Sequence, residues 1–344
     1  MSKATRSCFE DLANELLLEI FDYLDWINLF SAFYGLTKRI NHLVTCINTL
    51  SIYSNYLINQ SNIVYLCFQE FPLTEFKQIQ HFKLLYDNPY DESLNIAKYF
   101  SSFRTLISLH IDANVIEDGN CTNEFLEIIF HQNCPFLQRL YLHGNVFDQD
   151  LKSIQGVCTF HFPSLLHIHV TKLPFRVAIQ LLDQCSRLHS FSAMLYDYPT
   201  EENVTALASQ MPESIRVGLP TLTNLSLGEK NRFHKESTST FLEFLLPRCP
   251  NLRTFHFDIH CNDNGDCEKI LHPDWWKYAL RSNSHLAHID FRLSWWTRHI
   301  IHNGYEKIQR FRESPFFNQL NTTMTHTFNS EFMRSMDYEL FIKN

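Results

Sequence analysis

The sequence predicts an α/β fold of stacked strand-plus-helix layers. Parallel strands would line a concave side, helices the convex side, and a small three-helix unit would stand in front. Three observations carry this. First, a short alternating pattern recurs nine times, from Ile47, Ile79, Leu106, Leu137, Leu165, Leu188, Leu222, Leu252 and Leu286, at intervals of 23 to 34 residues. The clearest copy, Leu137-Gln138-Arg139-Leu140-Tyr141-Leu142, has apolar residues at its first, fourth and sixth places. Such alternation turns successive side chains to opposite faces of a strand. Second, places not used to define the pattern also obey it. The third place reads Thr49, His81, Ser108, Arg139, His167, Ser190, Asn224, Thr254 and His288. The fifth reads Ser51, Lys83, His110, Tyr141, His169, Ser192, Ser226, His256 and Asp290. None is aliphatic, in a chain that is 45% hydrophobic. Third, the residue three places before each of the last seven starts is Phe103, Cys134, Phe162, Cys185, Leu219, Cys249 or Asn283. Pro135, Pro163, Pro220 and Pro250 follow directly in four of them. A buried residue and a turn-setting Pro suit a corner leading into a strand.

One strand per unit at this period resembles the leucine-rich repeat. That resemblance implies about nine units over residues 47–293, stacked into an irregular solenoid because no unit can bury its apolar face alone. The Leu188 unit, with Ala193 at its sixth place, is the least regular.

Bulk properties narrow the function. A chain of 344 residues is long enough for such an array. Its formal charge of −8 argues against general nucleic-acid binding, which needs a positive surface. No apolar run approaches a membrane span; Glu15, Glu19, Asp22 and Asp25 break the longest stretch. The first residues carry no apolar signal segment, so an intracellular protein, cytoplasmic or nuclear, is expected. Ten cysteines occur, but three of them, Cys134, Cys185 and Cys249, share the corner place, which points to burial rather than disulfides. No Gly-rich phosphate loop is present, and no cofactor is expected.

In chain order, residues 1–8 read as a disordered tip. From Phe9, three short helices fit. Asn14 suits a cap for the first, which carries Leu16, Leu17, Ile20, Phe21 and Leu24 at helical spacing. Asp25 or Asn28 suits the start of a second with Leu29, Phe30 and Phe33, and Gly35 its stop. A third runs from Thr37 with Ile40, Leu43 and Val44. Three helices in about 40 residues lie near the lower limit for independent folding, so a partner or the first repeat must cover their apolar faces.

Residues 9–48 resemble an F-box. The residues that carry this are Leu12-Ala13-Asn14-Glu15-Leu16-Leu17-Leu18-Glu19-Ile20-Phe21-Asp22-Tyr23-Leu24, then Leu29-Phe30 and Leu36-Thr37-Lys38-Arg39-Ile40. Two positions depart from the family: Ala13 stands where Pro is usual, and Ile40 where Trp is common. The resemblance implies docking onto the small adaptor subunit of an SCF-type cullin–RING ubiquitin ligase and, through it, onto the cullin. Leu12, Leu16, Leu17, Ile20 and Leu24 match family positions that form or support this contact. F-boxes followed by leucine-rich repeats form a known class. The expected role is therefore a non-catalytic substrate receptor; the alternative is a repeat scaffold without a ligase role, its first helices a plain cap.

Between strands, helices are expected over Asn123–Phe130, from Pro174 as a first helical residue, from Asn203 as a cap, from Ser239 or Thr240, and from Pro273. Residues 294–344 read as a C-terminal cap with an aromatic core of Trp295, Trp296, Phe311, Phe316 and Phe317. Within it, Thr322–Thr327 reads as polar and mobile.

The outward ladder is the expected surface for a protein target. It carries His110, Arg139, Tyr141, His143, His167, His169, His256 and Asp290, with Lys83 and Arg292 beside them. This polar, mildly basic composition suits an acidic or phosphorylated segment. His256, His260, Cys261, Cys267 and His272 match no standard zinc spacing, so no metal is expected. No Gly-x-Ser-x-Gly, His-Glu-x-x-His or Cys-x-x-Cys occurs, and an enzyme is not expected.

Overall fold

The computed structural model describes residues 9–24, 26–47, 49–54, 78–86, 105–113, 134–143, 162–196, 218–229, 236–261, 269–297, 301–332 and 335–344. The chain divides into two compact units, Met1–Ser153 and Ile154–Asn344. The expected tip at 1–8, the helices at Asn123–Phe130 and after Asn203, and the corner at Phe103 lie outside the described residues.

The first unit opens with a 3-10 turn, Phe9–Asp11, then α1 (Asn14–Asp22), α2 (Trp26–Phe33) and α3 (Lys38–Thr45). Leu17 and Phe21 of α1 are buried, as are Leu29 and Phe30 of α2 and Ile40, Leu43 and Val44 of α3. Burying each such side chain contributes roughly 1.5–3 kcal/mol. Phe33 joins the layers, its ring 5.2 Å from Phe9 and 5.1 Å from Phe21. Thr37 caps α3 by accepting from Ile40 N–H at 3.1 Å, and Gly35 turns the chain at φ +91°. Asn14 does not cap α1. Ala13 holds the cap position without a side-chain bond, and the Asn14 side-chain Oδ1 instead accepts from Arg39 Nε at 2.8 Å.

Four strands follow: β1 (Thr49–Ser54), β2 (His81–Tyr86), β3 (Ser108–Ala113) and β4 (Arg139–His143). They pair in order and in parallel, with Thr49, His81, Ser108 and Arg139 in one row. That row is the third place of the sequence pattern, so the repeat and the hydrogen-bond register coincide.

The second unit contains β5 (His167–Pro174), α4 (Phe175–Gln184), β6 (Ser190–Tyr196), β7 (Asn224–Glu229), α5 (Glu236–Leu245), β8 (Thr254–Cys261), α6 (Pro273–Ala279), β9 (His288–Thr297), α7 (Ile301–Glu313), α8 (Pro315–Gln319), β10 (Thr323–Phe332) and β11 (Ser335–Lys343). Strands β5 to β9 are parallel and adjacent, again with the third places His167, Ser190, Asn224, Thr254 and His288 in one row. The irregular Leu188 unit still forms β6, where Ala193 is buried.

The corners repeat as faithfully as the strands. Leu137, Leu165, Leu188, Leu222, Leu252 and Leu286 each donate an N–H to the carbonyl three residues back, at 3.0–3.2 Å. Each is a four-residue turn, and Pro at its second place presets the backbone angle there. The acceptor residues are buried: Cys134, Phe162, Cys185, Leu219, Cys249 and Asn283. Burial pushes the Cys185 and Cys249 thiols up to about 12, so both remain protonated at neutral pH.

Asn283, the one polar residue at that place, has a structural use. Its Nδ2 donates to the carbonyls of Leu246 at 3.1 Å and Cys249 at 2.7 Å, tying two successive corners together. Asn283→Ala is expected to destabilise the fold by about 1–3 kcal/mol, because a buried bonding group is lost. A lowered denaturation midpoint at unchanged m-value would check it.

Several expected boundaries move. Phe175, not Pro174, is the first residue of α4, since Pro174 closes β5. Helix α5 starts at Glu236, and Ser239 is a buried helical residue rather than a cap. The strand of the last repeat runs past Leu293 to Thr297, and the aromatic cap brings two more strands. Strand β11 pairs antiparallel with β9, and β10 pairs antiparallel with β11. Thr322–Thr327, expected to be mobile, thus leads into and builds a strand. Asn344 fastens this end by side-chain bonds with Ile289 N, the Ala287 carbonyl and the Leu320 carbonyl. Of the expected aromatic core of the cap, Trp295, Phe311 and Phe317 are buried and Phe316 half-buried. Through Phe291, 6.2 Å from Phe317, it adjoins a second cluster around buried Trp276, whose ring lies 4.4 Å from Phe291 and 5.4 Å from Phe257. Among the described residues, no helix is long and apolar enough to cross a membrane.

Candidate functional site

Two kinds of surface carry the residues singled out in the sequence. The first is on α1. Spacing of three and four residues puts Leu17, Phe21 and Leu24 on one stripe and Leu16, Ile20 and Tyr23 on the next. Leu17 is wholly buried, so it can act on any contact only by packing. Leu16 is 48% exposed and Tyr23 84%. Leu12, Ile20 and Leu24 are half-buried. The Leu12 carbonyl accepts from Arg39 at 2.5 Å, which anchors the entry to α1. Leu36, 56% exposed, adds apolar surface between α2 and α3. Tyr23 extends the stripe by one helical turn, and its spacing from Leu16 was a signal in the sequence.

The second kind is the outward side of the strands, described for each unit by itself. No third- or fifth-place residue of β1 to β9 is buried, whereas Leu50, Phe82, Leu109, Leu140, Ile168, Phe191, Leu225, Phe255 and Ile289 between them are. In the first unit, Lys83, His110 and Tyr141 stand in one row and Asp112 and His143 in the next. The His110 and Tyr141 rings lie 4.1 Å apart. Among the described residues, His110 Nε2 is buried without a hydrogen-bond partner. Burial, reinforced by the neighbouring Lys83 charge, lowers the His110 pKa and favours the neutral ring. His143 Nδ1 lies 3.0 Å from Asp112 Oδ1. Arg139 is exposed two residues before Tyr141, on the third-place row.

In the second unit the fifth-place row is His169, Ser192, Ser226, His256 and Asp290. His169 Nδ1 lies 2.9 Å from Ser192 Oγ, and His167 is exposed on the third-place row. His256 Nδ1 lies 3.5 Å from Asp290 Oδ2, which also meets Lys343 Nζ at 3.5 Å. Arg292 donates to Glu339 at 3.1 Å and lies 4.0 Å from Asp258. That hydrogen bond raises the Arg292 pKa, which keeps the guanidinium charged.

Sequence reasoning missed Asp112, although it occupies a seventh place of the pattern. It also missed Glu339 and Lys343, which reach the site from an antiparallel strand that no repeat could forecast. Of the residues of the zinc reading, His256 lies beside Asp290, and His272 caps α6, accepting from Asp274 N at 3.3 Å. Cys267 lies outside the described residues.

No protein-family model matches the chain, and no curated protein matches it in sequence.

Proposed function

We propose that the chain is the substrate-recognition subunit of an SCF-type cullin–RING ubiquitin ligase. In this reading α1 to α3 form an F-box that grips the small adaptor, and the strand-plus-helix layers are leucine-rich repeats whose concave face holds a target. The observation that carries it is the stripe of exposed Leu16 and Tyr23 with half-buried Ile20 between them, beside the buried Leu17–Phe21 stripe. A helix that only capped the sheet would need the buried stripe alone; exposed apolar rows mark contact surfaces. Other subunits would transfer ubiquitin. This chain would act by proximity, holding a target where its effective concentration near the conjugating enzyme is high. Pull-down of purified adaptor by the full chain tests the reading, and failure to capture it would overturn the ligase role.

For the target, the outward side of the first unit's strands carries, among the described residues, two permanent cations, Lys83 and Arg139, and one carboxylate, Asp112, which lies 3.0 Å from His143. This surplus suits an acidic or phosphorylated segment, with Tyr141 as its aromatic anchor. Replacing Arg139 and Tyr141 together by Ala is expected to cut target co-purification by about tenfold or more. His169→Ala tests the second unit separately. Unchanged recovery in both variants would move the target site off these strands.

A second reading, a repeat scaffold without ligase role, draws on the packing of α2 against β1, which covers the first strand as a cap would. Adaptor capture separates the two readings.

A further inference from the structure

Strand β10 ends the sheet of the second unit. Among the described residues only β11 pairs with it, and no strand among them covers its other edge. Proteins usually blunt such an edge with Lys, Pro, a bulge or a covering element. Over Thr323–Phe328 there is no Pro and no acidic or basic residue other than His326, and the register is regular as far as Asn329. The guanidinium of Arg312 stands 2.9 Å from His326 Nδ1. Thr323, Thr325 and Thr327 are exposed, while Met324 and His326 are half-buried on the opposite face.

We propose that the β10 edge pairs antiparallel with the β10 edge of a second copy of this chain, about a two-fold axis through Thr325. Directly opposed residues must share a face, so the two partners' numbers add to an even sum. Centring on Thr325 sets Thr323 opposite Thr327 and Met324 opposite His326. Every exposed Thr then meets a Thr, a favourable cross-strand pair, and no like charges are opposed. The helices agree with this geometry. Helix α7 contacts β11 and reaches β10 through Arg312 and Tyr305, whose ring lies 6.3 Å from His326. The two copies of α7 would then lie on one face of the joined sheet, flanking the seam. Tyr305, 48% exposed, stands beside that seam. A different occupant, an extended segment of another protein, would face the same edge without this self-matching register.

The interface is small beside standard ones, so a weak, concentration-dependent dimer is expected. Sedimentation velocity of the full chain over a concentration series should show it. Thr325→Lys is expected to weaken it by about tenfold, since a Thr pair is lost and two like charges are opposed. The exposed site leaves folding intact, which thermal denaturation checks. Register is tested by oxidation: Thr325→Cys should form an intermolecular disulfide, its opposed Cα atoms lying about 4.5–5.5 Å apart. Thr323→Cys should not cross-link alone but should do so when mixed with Thr327→Cys. A chain monomeric throughout the series, or Thr323→Cys cross-linking alone as readily as Thr325→Cys, overturns the proposal.

Discussion

Replacing Leu16 and Ile20 together by Asp is expected to weaken adaptor capture about a thousandfold while leaving the fold in place. Each is a candidate anchor, and truncating an interface anchor typically costs about 2 kcal/mol or more. Two such losses amount to about 4 kcal/mol, near three decades in affinity. A charge driven into an apolar contact adds desolvation to that loss. The folded chain tolerates the change because Leu16 is 48% exposed, Ile20 is only half-buried, and the buried stripe of Leu17 and Phe21 is untouched. Leu17→Asp is the instructive contrast. It would also lose capture, but by unfolding the three helices, which circular dichroism and a denaturation curve would report. Binding unchanged in the Leu16/Ile20 variant would show that α1 is only a cap for the sheet.

Trp276→Ala is expected to cost about 3–5 kcal/mol, the range for truncating a large buried aromatic. Trp276 is wholly buried and sits among Phe255, Phe257 and Phe291. Its Nε1 donates to the Ile270 carbonyl at 2.8 Å, so truncation also removes a buried hydrogen bond. Tyr278→Ala, on the same helix, is the control. Tyr278 is 52% exposed and is covered mainly by Arg281, 3.9 Å from its ring, so a change of about 0.5 kcal/mol or less is expected. Equilibrium denaturation of both variants would measure the difference. An equal, small loss in the two would mean that the aromatic cluster does not hold this unit together.

The strands were legible because alternation is local. A residue's side of a strand follows from its place in the chain, and a buried face cannot tolerate a one-residue slip. Hence the third and fifth places of all nine repeats face outward, and the register within each unit matches the sequence alignment. The corners were legible for a similar reason: Cys134-Pro135 and Cys249-Pro250 join a buried anchor to a preset backbone angle. Helix starts were less so. Asn14 and Ser239 look like caps, but Arg39 takes the side chain of the first, and burial takes the second.

The sequence alone therefore determined where the nine repeat strands and their described corners lie, which side chains of those strands face solvent, and which helices have an apolar stripe. All of these are properties of neighbours along the chain. Only the tertiary structure decided that Asn283 ties two corners and that Leu17 is core while Leu16 is surface. It also decided that Glu339 and Lys343 join a row begun by His256 and Asp290. Those outcomes depend on contacts between segments distant in sequence, and one antiparallel strand returning to β9 is enough to rewrite an edge that no repeat describes.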